Sequence, residues 1–312
     1  MPERHATVDL GARVGELQLA NPLLAASGCF GYGLDYDPLL PPEVFGAVVT
    51  KTITPLPRKG NPVPRLMETP AGMLNSIGLE NVGLDAFVET KLPALAARGL
   101  SPVVSLSAGS ADAFAAMARQ LVDGPALAIE LNLSCPNVAE HGANFATDPA
   151  AVEAITRAVK RDFTVAPVWV KLSPNVTDIG LVARAAENAG ADGICAINTL
   201  LGMDIDLATG RSPFARVTAG LSGPAIFPVA LAAVHRVASQ VTIPVIAIGG
   251  AASAADVLKF IAAGASAVQL GTALFSDPGL PARVLDGLAA FLAERDCASL
   301  DALREHWKER AS

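Results

Sequence analysis

Short apolar segments recur along the chain, and stretches with helical periodicity separate most of them. Strands that alternate with helices form a parallel sheet. Eight such repeats without a linker between them predict a single (β/α)8 TIM barrel over residues 1–312, a fold that commonly takes about 250 residues as one domain. A doubly wound open sheet is the alternative. The predicted strands are 22–28, 47–52, 102–106, 126–130, 168–172, 193–197, 244–250 and 267–272.

Three segments fall outside this repeat. Residues 7–19 alternate apolar and polar side chains around two glycines, which predicts a short N-terminal hairpin. Residues 54–74 and 200–222 show neither helical nor strand periodicity, and we expect them to be long loops over the C-terminal rim. Residues 72–81 mix amides with glycines, as a loop over a small polar ligand would, although a plain surface loop has the same composition.

Composition excludes several classes of function. The net charge of −7 argues against a nucleic-acid partner, which needs clustered Lys and Arg. No window approaches the roughly 18 apolar residues of a membrane span, and charged residues occupy the start of the chain, so we expect a cytoplasmic protein without a membrane segment. The four cysteines are widely spaced and indicate neither a disulfide framework nor a metal site.

Polar residues and glycines follow several predicted strands. Ser27, Lys51 and Lys171 lie at strand ends, which in a barrel open onto the C-terminal rim where active sites lie. Gly249–Gly250 and Gly271–Thr272 follow strands seven and eight, where barrels often bind phosphate. A tight turn is the other reading of each glycine. A phosphate cradle with lysines suits a flavin mononucleotide (FMN), with salt-bridge partners as the alternative role of the lysines.

The segment 131–137, LNLSCPN, places a thiol at the end of a strand. Pro136 has no N–H to donate and therefore stops the strand there. Asn132 and Asn137 flank Cys135 with amides, which suit the N–H and C=O edges of a small heterocycle. The alternative is that Cys135 is an apolar filler and the asparagines close a turn.

Several motifs, in order along most of the chain, resemble those of the class 1 dihydroorotate dehydrogenases. The resemblance implies an FMN-binding barrel that oxidises dihydroorotate to orotate in pyrimidine biosynthesis. It also implies that Cys135 removes the C5 proton while hydride passes from C6 to the flavin N5. The motifs are TKT at 50–52, GMLNSIGLEN at 72–81, NLSCPN at 132–137, VKLSPN at 170–175, INT at 197–199, GLSGPAI at 220–226, AIGG at 247–250 and QLGT at 269–272.

The same resemblance implies the binding residues. Those for the substrate are Lys51, Asn75, Ser76, Ile77, Gly78, Leu79, Asn132, Asn137, Asn198 and Thr199. Those for FMN are Ser27, Lys51, Thr52, Asn132, Lys171, Ile197, Gly223, Gly249, Gly250, Gly271 and Thr272. Three positions depart from the family pattern: Ser105 and Leu274 where asparagine is usual, and Glu80 where glutamine is usual.

The segments 50–62 and 72–79 resemble the NAD-linked subclass more than the fumarate-linked one. That resemblance implies a homodimer of this chain within a heterotetramer, in which a second subunit carries FAD and a 2Fe–2S cluster. The chain has neither a GxGxxG after its first strand nor a cysteine cluster to hold those groups itself. The alternatives are a fumarate-linked homodimer, an FMN barrel acting on dihydropyrimidine or dihydrouridine, a flavin-free aldolase using Lys171, and a non-enzymatic FMN-binding subunit.

Overall fold

The computed structural model describes residues 8–133 and 145–311, with side chains up to residue 307. Its strands lie close to the predicted ones. They are β1 Ala12–Val14, β2 Leu17–Leu19, β3 Leu23–Ala25, β4 Ala47–Val48, β5 Leu66–Thr69, β6 Gly72–Asn75, β7 Val103–Leu106, β8 Ala128–Asn132, β9 Val168–Leu172, β10 Gly193–Ala196, β11 Leu200–Gly202, β12 Ala219–Ser222, β13 Val245–Ile248 and β14 Ala265–Leu270.

The helices alternate with the barrel strands, and a π-helical turn over Phe87–Lys91 joins the first two of them. Three of the helices have polar N-caps, since Ser110, Asp148 and Ser253 each accept a hydrogen bond from a first-turn N–H. None of the helices in the described ranges combines the length and the apolar composition that crossing a bilayer requires. The helices are α1 Leu84–Ala86, α2 Leu92–Ala97, α3 Ala111–Arg119, α4 Pro149–Asp162, α5 Ile179–Asn188, α6 Phe227–Ala238, α7 Ala254–Ala262, α8 Ala273–Ser276, α9 Leu280–Ala293 and α10 Leu300–Ala311.

The central sheet is a barrel, which confirms the predicted fold. Its eight strands run in the order β4-β3-β14-β13-β10-β9-β8-β7, and each neighbouring pair is parallel. Isolated bridges between Val49 and Val103 and between Ile53 and Leu106 close the remaining gap between β4 and β7. The hydrogen bond from Thr50 N–H to Val103 O, at 2.9 Å, belongs to this closure.

The barrel interior changes from apolar to polar along its axis. Alternate residues of a strand point to the same face, so Ala128 and Trp169 lie inside and pack with the buried Val14 and Leu19. Both of the latter belong to the β1–β2 hairpin, which is confirmed and which packs against the apolar end of the interior. The residues further along each strand toward its C-terminal end are polar, and they form the site described below.

The prediction of an irregular loop over 200–222 is wrong at both ends of that segment. The strands β11 and β12 occupy its ends, and they pair with β5 and β6 from the other predicted loop into an antiparallel sheet of order β11-β12-β6-β5. We call these four strands the rim sheet. Each strand is only three or four residues long, and the ladder between β6 and β12 joins residues that are far apart in the sequence, so local periodicity carries little signal for this sheet.

Candidate active site at the barrel mouth

Most of the predicted site residues lie at one end of the barrel. Because the barrel strands are all parallel, their C-terminal ends meet at a single mouth. The structure therefore brings together residues that come from seven separate strands, while their roles stay predictions. The residues at this mouth are Ser27, Lys51, Thr52, Asn132, Lys171, Ile197, Asn198, Thr199, Gly249, Gly250, Gly271 and Thr272.

Thr52 is the centre of a hydrogen-bond network across the mouth. Its hydroxyl lies 3.1 Å from Ser27 Oγ and 2.9 Å from Ser105 Oγ, and it accepts a hydrogen bond from Asn132 Nδ2 at 3.0 Å. Ser105 is fully buried here. The serine that departs from the family pattern is thus part of the site, because its hydroxyl links β7 to the residues after β4.

The network continues to the segment after β10. Asn198 Nδ2 donates to Asn132 Oδ1 at 3.4 Å, and Asn198 Oδ1 accepts from the backbone N–H of Thr199 at 2.8 Å. Asn175, which the sequence reasoning did not assign, donates from its side chain to Thr199 O and accepts from Leu201 N–H, both at 3.0 Å. Its amide holds the chain where the barrel meets the rim sheet.

A buried cluster of charged and polar groups extends from this network into the barrel, where Glu130 lies one layer below Asn132. Lys171 Nζ is 3.5 Å from Glu130 Oε1, and Gln269 Nε2 donates to Glu130 Oε2 at 2.9 Å. Burial first, and then the negative charge of Glu130, raise the pKa of the Cys195 thiol well above its usual value, so the thiol stays protonated. Glu130 and Gln269 were not predicted as site residues. The sequence signal was available, since Glu130 lies two residues before Asn132 and therefore on the same strand face.

The glycines after the later strands take backbone conformations that other residues rarely adopt. Gly223, Gly249 and Gly250 have φ of +95°, +128° and +79°. A Cβ on Gly250 would lie 2.7 Å from Gly223 O, so the two turns are in close contact. Within the described ranges, the N–H groups of Gly250, Gly271 and Thr272 have no acceptor at hydrogen-bond distance. Unpaired backbone donors at adjoining turns suit an anion such as phosphate.

The rim sheet brings Asn75 to the mouth. Asn75 Nδ2 donates to Gly220 O at 3.1 Å. A Cβ on Gly220 would lie 2.5 Å from Thr199 Oγ1 and 3.0 Å from Asn75 Nδ2, which places both of these polar groups around the same glycine. The predicted substrate residues of β6 and of the segment after β10 are therefore neighbours.

The turn after β6 holds the other predicted residues of the 72–81 segment. Asn61 Nδ2 donates to both the backbone O and Oγ of Ser76 at 3.0 Å, and the N–H of Asn61 donates to Ile77 O at 2.9 Å. Gly78 and Leu79 follow with φ of +77° and +56°. A positive φ is uncommon for leucine, and such backbone strain is concentrated at functional sites.

Lys51 is linked to this turn through Glu80. Lys51 Nζ lies 3.9 Å from Glu80 Oε2, and the same oxygen accepts from Arg65 Nη1 at 2.6 Å. Lys51 thus stands between a carboxylate and the mouth, which leaves it able to bind a second anion.

Two predicted residues, Cys135 and Asn137, lie outside the described residues. The predicted catalytic role of Cys135 therefore stays a prediction. Leu133, the described residue nearest to them before the gap, directly follows β8 and is buried. Another thiol at the mouth, Cys29, is a poor nucleophile because burial raises its pKa to about 11 despite the opposing charge of Lys171.

The comparisons with known proteins agree on one family. Residues 9–292 match the family model described as dihydroorotate dehydrogenase. A protein of Trichlorobacter lovleyi is 48% identical over 295 residues, which covers 94% of this chain and 97% of the relative. Relatives from Citrifermentans bemidjiense and Geobacter sulfurreducens are each 46% identical, over 95% and 94% of this chain and 97% and 96% of their own lengths. All three are named dihydroorotate dehydrogenase B (NAD(+)), catalytic subunit.

Proposed function

The chain belongs to the dihydroorotate dehydrogenase family, and we propose that it oxidises dihydroorotate to orotate in pyrimidine biosynthesis and delivers the electrons toward NAD. One observation carries the proposal beyond family membership. The hydrogen-bonded network of Thr52, Asn132 and Asn198, the buried Lys171 and the glycine turns all converge on one barrel mouth. Such a mouth offers a heterocycle, a phosphate and a redox cofactor distinct places to bind.

We infer that the cofactor is FMN, because the donors at the mouth fit that group. The N–H groups of Gly250, Gly271 and Thr272 suit its phosphate, and a side chain at Gly223 or Gly250 would clash with backbone atoms of the neighbouring segments and displace the turns. Lys171 offers positive charge to the ring. The chemistry that a bound FMN supplies is acceptance of a hydride, while the protein binds and orients the substrate.

The substrate's ring suits the amides at the mouth. Asn75, Asn132 and Asn198 each present donors and an acceptor on one plane, which match the alternating N–H and C=O groups of a dihydropyrimidine. Lys51 suits its carboxylate. Cys135, three residues after Asn132, is the base that we propose removes the C5 proton.

The first test is an anaerobic visible spectrum of the purified protein before and after addition of dihydroorotate. We expect flavin absorbance that bleaches, since the substrate would reduce the bound FMN. A protein that carries FMN and stays oxidised would disprove the substrate. A colourless protein that cannot be loaded with FMN would disprove the cofactor and favour the flavin-free aldolase that uses Lys171.

The role of Cys135 is tested by Cys135→Ser with Cys297→Ser as its matched control. Cys297 is buried and directly precedes the strand-like contact of Ala298 and Ser299 with Asp9, well outside the site. Loss of a positioned base should slow flavin reduction about 100-fold or more in Cys135→Ser while FMN stays bound. Reduction at the wild-type rate in that variant would contradict the role.

We further propose a partner subunit that carries FAD and a 2Fe–2S cluster, with this chain as a homodimer within a heterotetramer. The name shared by the relatives contains the words catalytic subunit. Exposed aliphatic side chains also concentrate on β11 and on the segment that joins it to β12, where Leu201, Leu207 and Val217 are 65%, 97% and 68% exposed. Clustered exposed apolar residues are typical of protein interfaces.

The partner and the electron acceptor are tested together. NAD reduction by dihydroorotate should require the co-purified second subunit, and Leu207→Glu should weaken its association. Val165→Glu is the control, because Val165 is 57% exposed in the segment before β9, on the opposite side of the barrel strands from the mouth. Efficient turnover with fumarate by the chain alone would instead support the fumarate-linked alternative.

A further inference from the structure

Glu130 is a buried carboxylate that the proposed reaction does not use. It has no exposed surface and lies inside the barrel on β8, opposite Trp169 of β9 in the strand register. Its carboxylate accepts hydrogen bonds from two side chains, with Oε1 3.5 Å from Lys171 Nζ and Oε2 2.9 Å from Gln269 Nε2. The Cys195 thiol beside it is neutral, so Glu130 and Lys171 are the two charged members of this cluster.

The contact with Lys171 is long for an ion pair between buried groups. Charge-assisted N–H···O bonds are about 2.7–2.9 Å long, whereas Nζ and Oε1 are 3.5 Å apart. An ammonium group carries three N–H donors, and within the described ranges Glu130 is the one acceptor that Lys171 contacts. Glu130 therefore orients the Lys171 ammonium group, which still has N–H donors for a ligand at the mouth.

The two charges act in opposite directions on a ligand that becomes negative. The Lys171 ammonium stabilises added negative charge on such a ligand, whereas the Glu130 carboxylate opposes it. Both side chains are buried, at 6% and 0% exposure, so solvent screens them weakly. The charge of Glu130 therefore matters at the mouth although Glu130 itself lies one layer below it.

We propose that Glu130 is a positioning residue of the flavin site, which holds the Lys171 ammonium at the barrel mouth and offsets its charge, and so limits how strongly the site favours reduced flavin. This inference rests on the proposed binding of FMN.

The test is a double-mutant cycle read by the flavin midpoint potential, which reports the ratio of the affinities for reduced and oxidised FMN. We expect Glu130→Gln to raise that ratio about tenfold, or about 30 mV for a two-electron couple. Lys171→Met should lower it by a similar factor. In the Lys171→Met background, Glu130→Gln should change that ratio less than about twofold, because Glu130 then has no ammonium group to position or to offset.

An unchanged or lower potential in Glu130→Gln would overturn the proposal, as would equal shifts in both backgrounds. Trp169→Phe is the control for packing, since Trp169 is buried beside Glu130 and its indole N–H has no partner within the described ranges. Its potential should stay at the wild-type value, and a shift as large as that of Glu130→Gln would refute a role for charge.

A second variant, Glu130→Asp, tests the proposal if Glu130→Gln does not fold. Glu130→Asp keeps the charge but withdraws it by one methylene, so it should shift the potential in the same direction by a smaller amount. No shift in Glu130→Asp, with FMN bound at wild-type affinity, would overturn the proposal.

The cycle separates this inference from the proposed function. Dithionite and redox dyes set the potential without dihydroorotate, so the cycle can be read even when the substrate assignment fails. Additive shifts in a protein that dihydroorotate reduces normally would overturn the role of Glu130 alone. A wild-type protein that binds no FMN would overturn both.

Discussion

Replacing Gly250 by alanine tests whether the turn after β13 depends on its glycine. The residue has φ of +79°, where an L side chain costs about 1–2 kcal/mol. The added Cβ would also lie 2.7 Å from Gly223 O and 2.8 Å from Phe227 N, both of them backbone atoms that cannot rotate away. Overpacking of this kind costs about 1–3 kcal/mol. The two costs predict a loss of about 2–5 kcal/mol in the free energy of unfolding.

Gly99→Ala is the matched control for the backbone conformation. Gly99 has φ of +71°, and a Cβ there would meet nothing within 4 Å. Only the conformational cost of about 1–2 kcal/mol applies to it. Urea unfolding of the FMN-free proteins should therefore show the larger loss in Gly250→Ala, and the difference between the variants measures the clash.

The same pair of variants tests the proposed phosphate site. Displacement of the turn should raise the dissociation constant of FMN at least about tenfold in Gly250→Ala, which corresponds to about 1.4 kcal/mol. Gly99→Ala should bind FMN as the wild type does. Equal unfolding losses and equal FMN affinities in the two variants would refute the argument, because the close approach of the two turns would then have no energetic consequence.

Three further predictions concern single side chains at the mouth. Thr52→Val removes a hydroxyl with three hydrogen-bond partners and should lower the free energy of unfolding, measured by urea denaturation, by about 1–3 kcal/mol. The control Thr156→Val changes a buried hydroxyl that has no partner in the described part of the chain, and it should be close to neutral. Equal losses in the two variants would contradict the network. Burial raises the pKa of Cys29 from 9.0 to about 11, so the rate of its alkylation by iodoacetamide should keep rising between pH 9 and 11. The contribution of this thiol to stability should be complete below pH 9 and lost as the pH rises to 11. A labelling rate that levels off at pH 9 would show an ordinary thiol. Glu80→Gln removes the carboxylate 3.9 Å from Lys51 and should lower the KM for dihydroorotate about 1.4- to fivefold with kcat unchanged, since exposed ion pairs contribute about 0.2–1 kcal/mol. An unchanged KM in steady-state kinetics would show that this pair does not compete with the substrate.

Strand and cap positions were predictable where local pattern and pairing agree. The predicted strand at 168–172 coincides with β9, and Asp148 caps α4, as an aspartate followed by a proline favours. The fourth strand was predicted at 126–130 but is Ala128–Asn132. Its limits depend on the ladders with β7 and β9, which pair Val103 with Ala128 and Asn132 with Lys171. An apolar run shows that a strand exists, whereas its neighbours determine where it begins and ends.

The site was predictable to the extent that strand ends identify it. Ser27, Lys51 and Lys171 were expected at the mouth because every parallel strand delivers its last residues there. Thr52 was implied only by the resemblance to the family. Glu130 was missed, and Ser105 was noted only as a departure from the family pattern, because each lies within an apolar strand and its contacts come from other strands. Their importance depends on which side chains face each other across the closed barrel.

The amino-acid sequence alone determined the alternation of strands and helices, the caps and the glycines at the turns, because each of these follows from the preferences of residues that are close together in the chain. The tertiary structure decided the rest. The rim sheet joins β6 to β12, the amide of Asn75 meets Gly220 beside Thr199, and Glu130 meets Lys171 and Gln269 inside the barrel. These contacts join residues from 41 to 149 positions apart, and those inside the barrel exist because its closure buries polar groups that must then pair with one another.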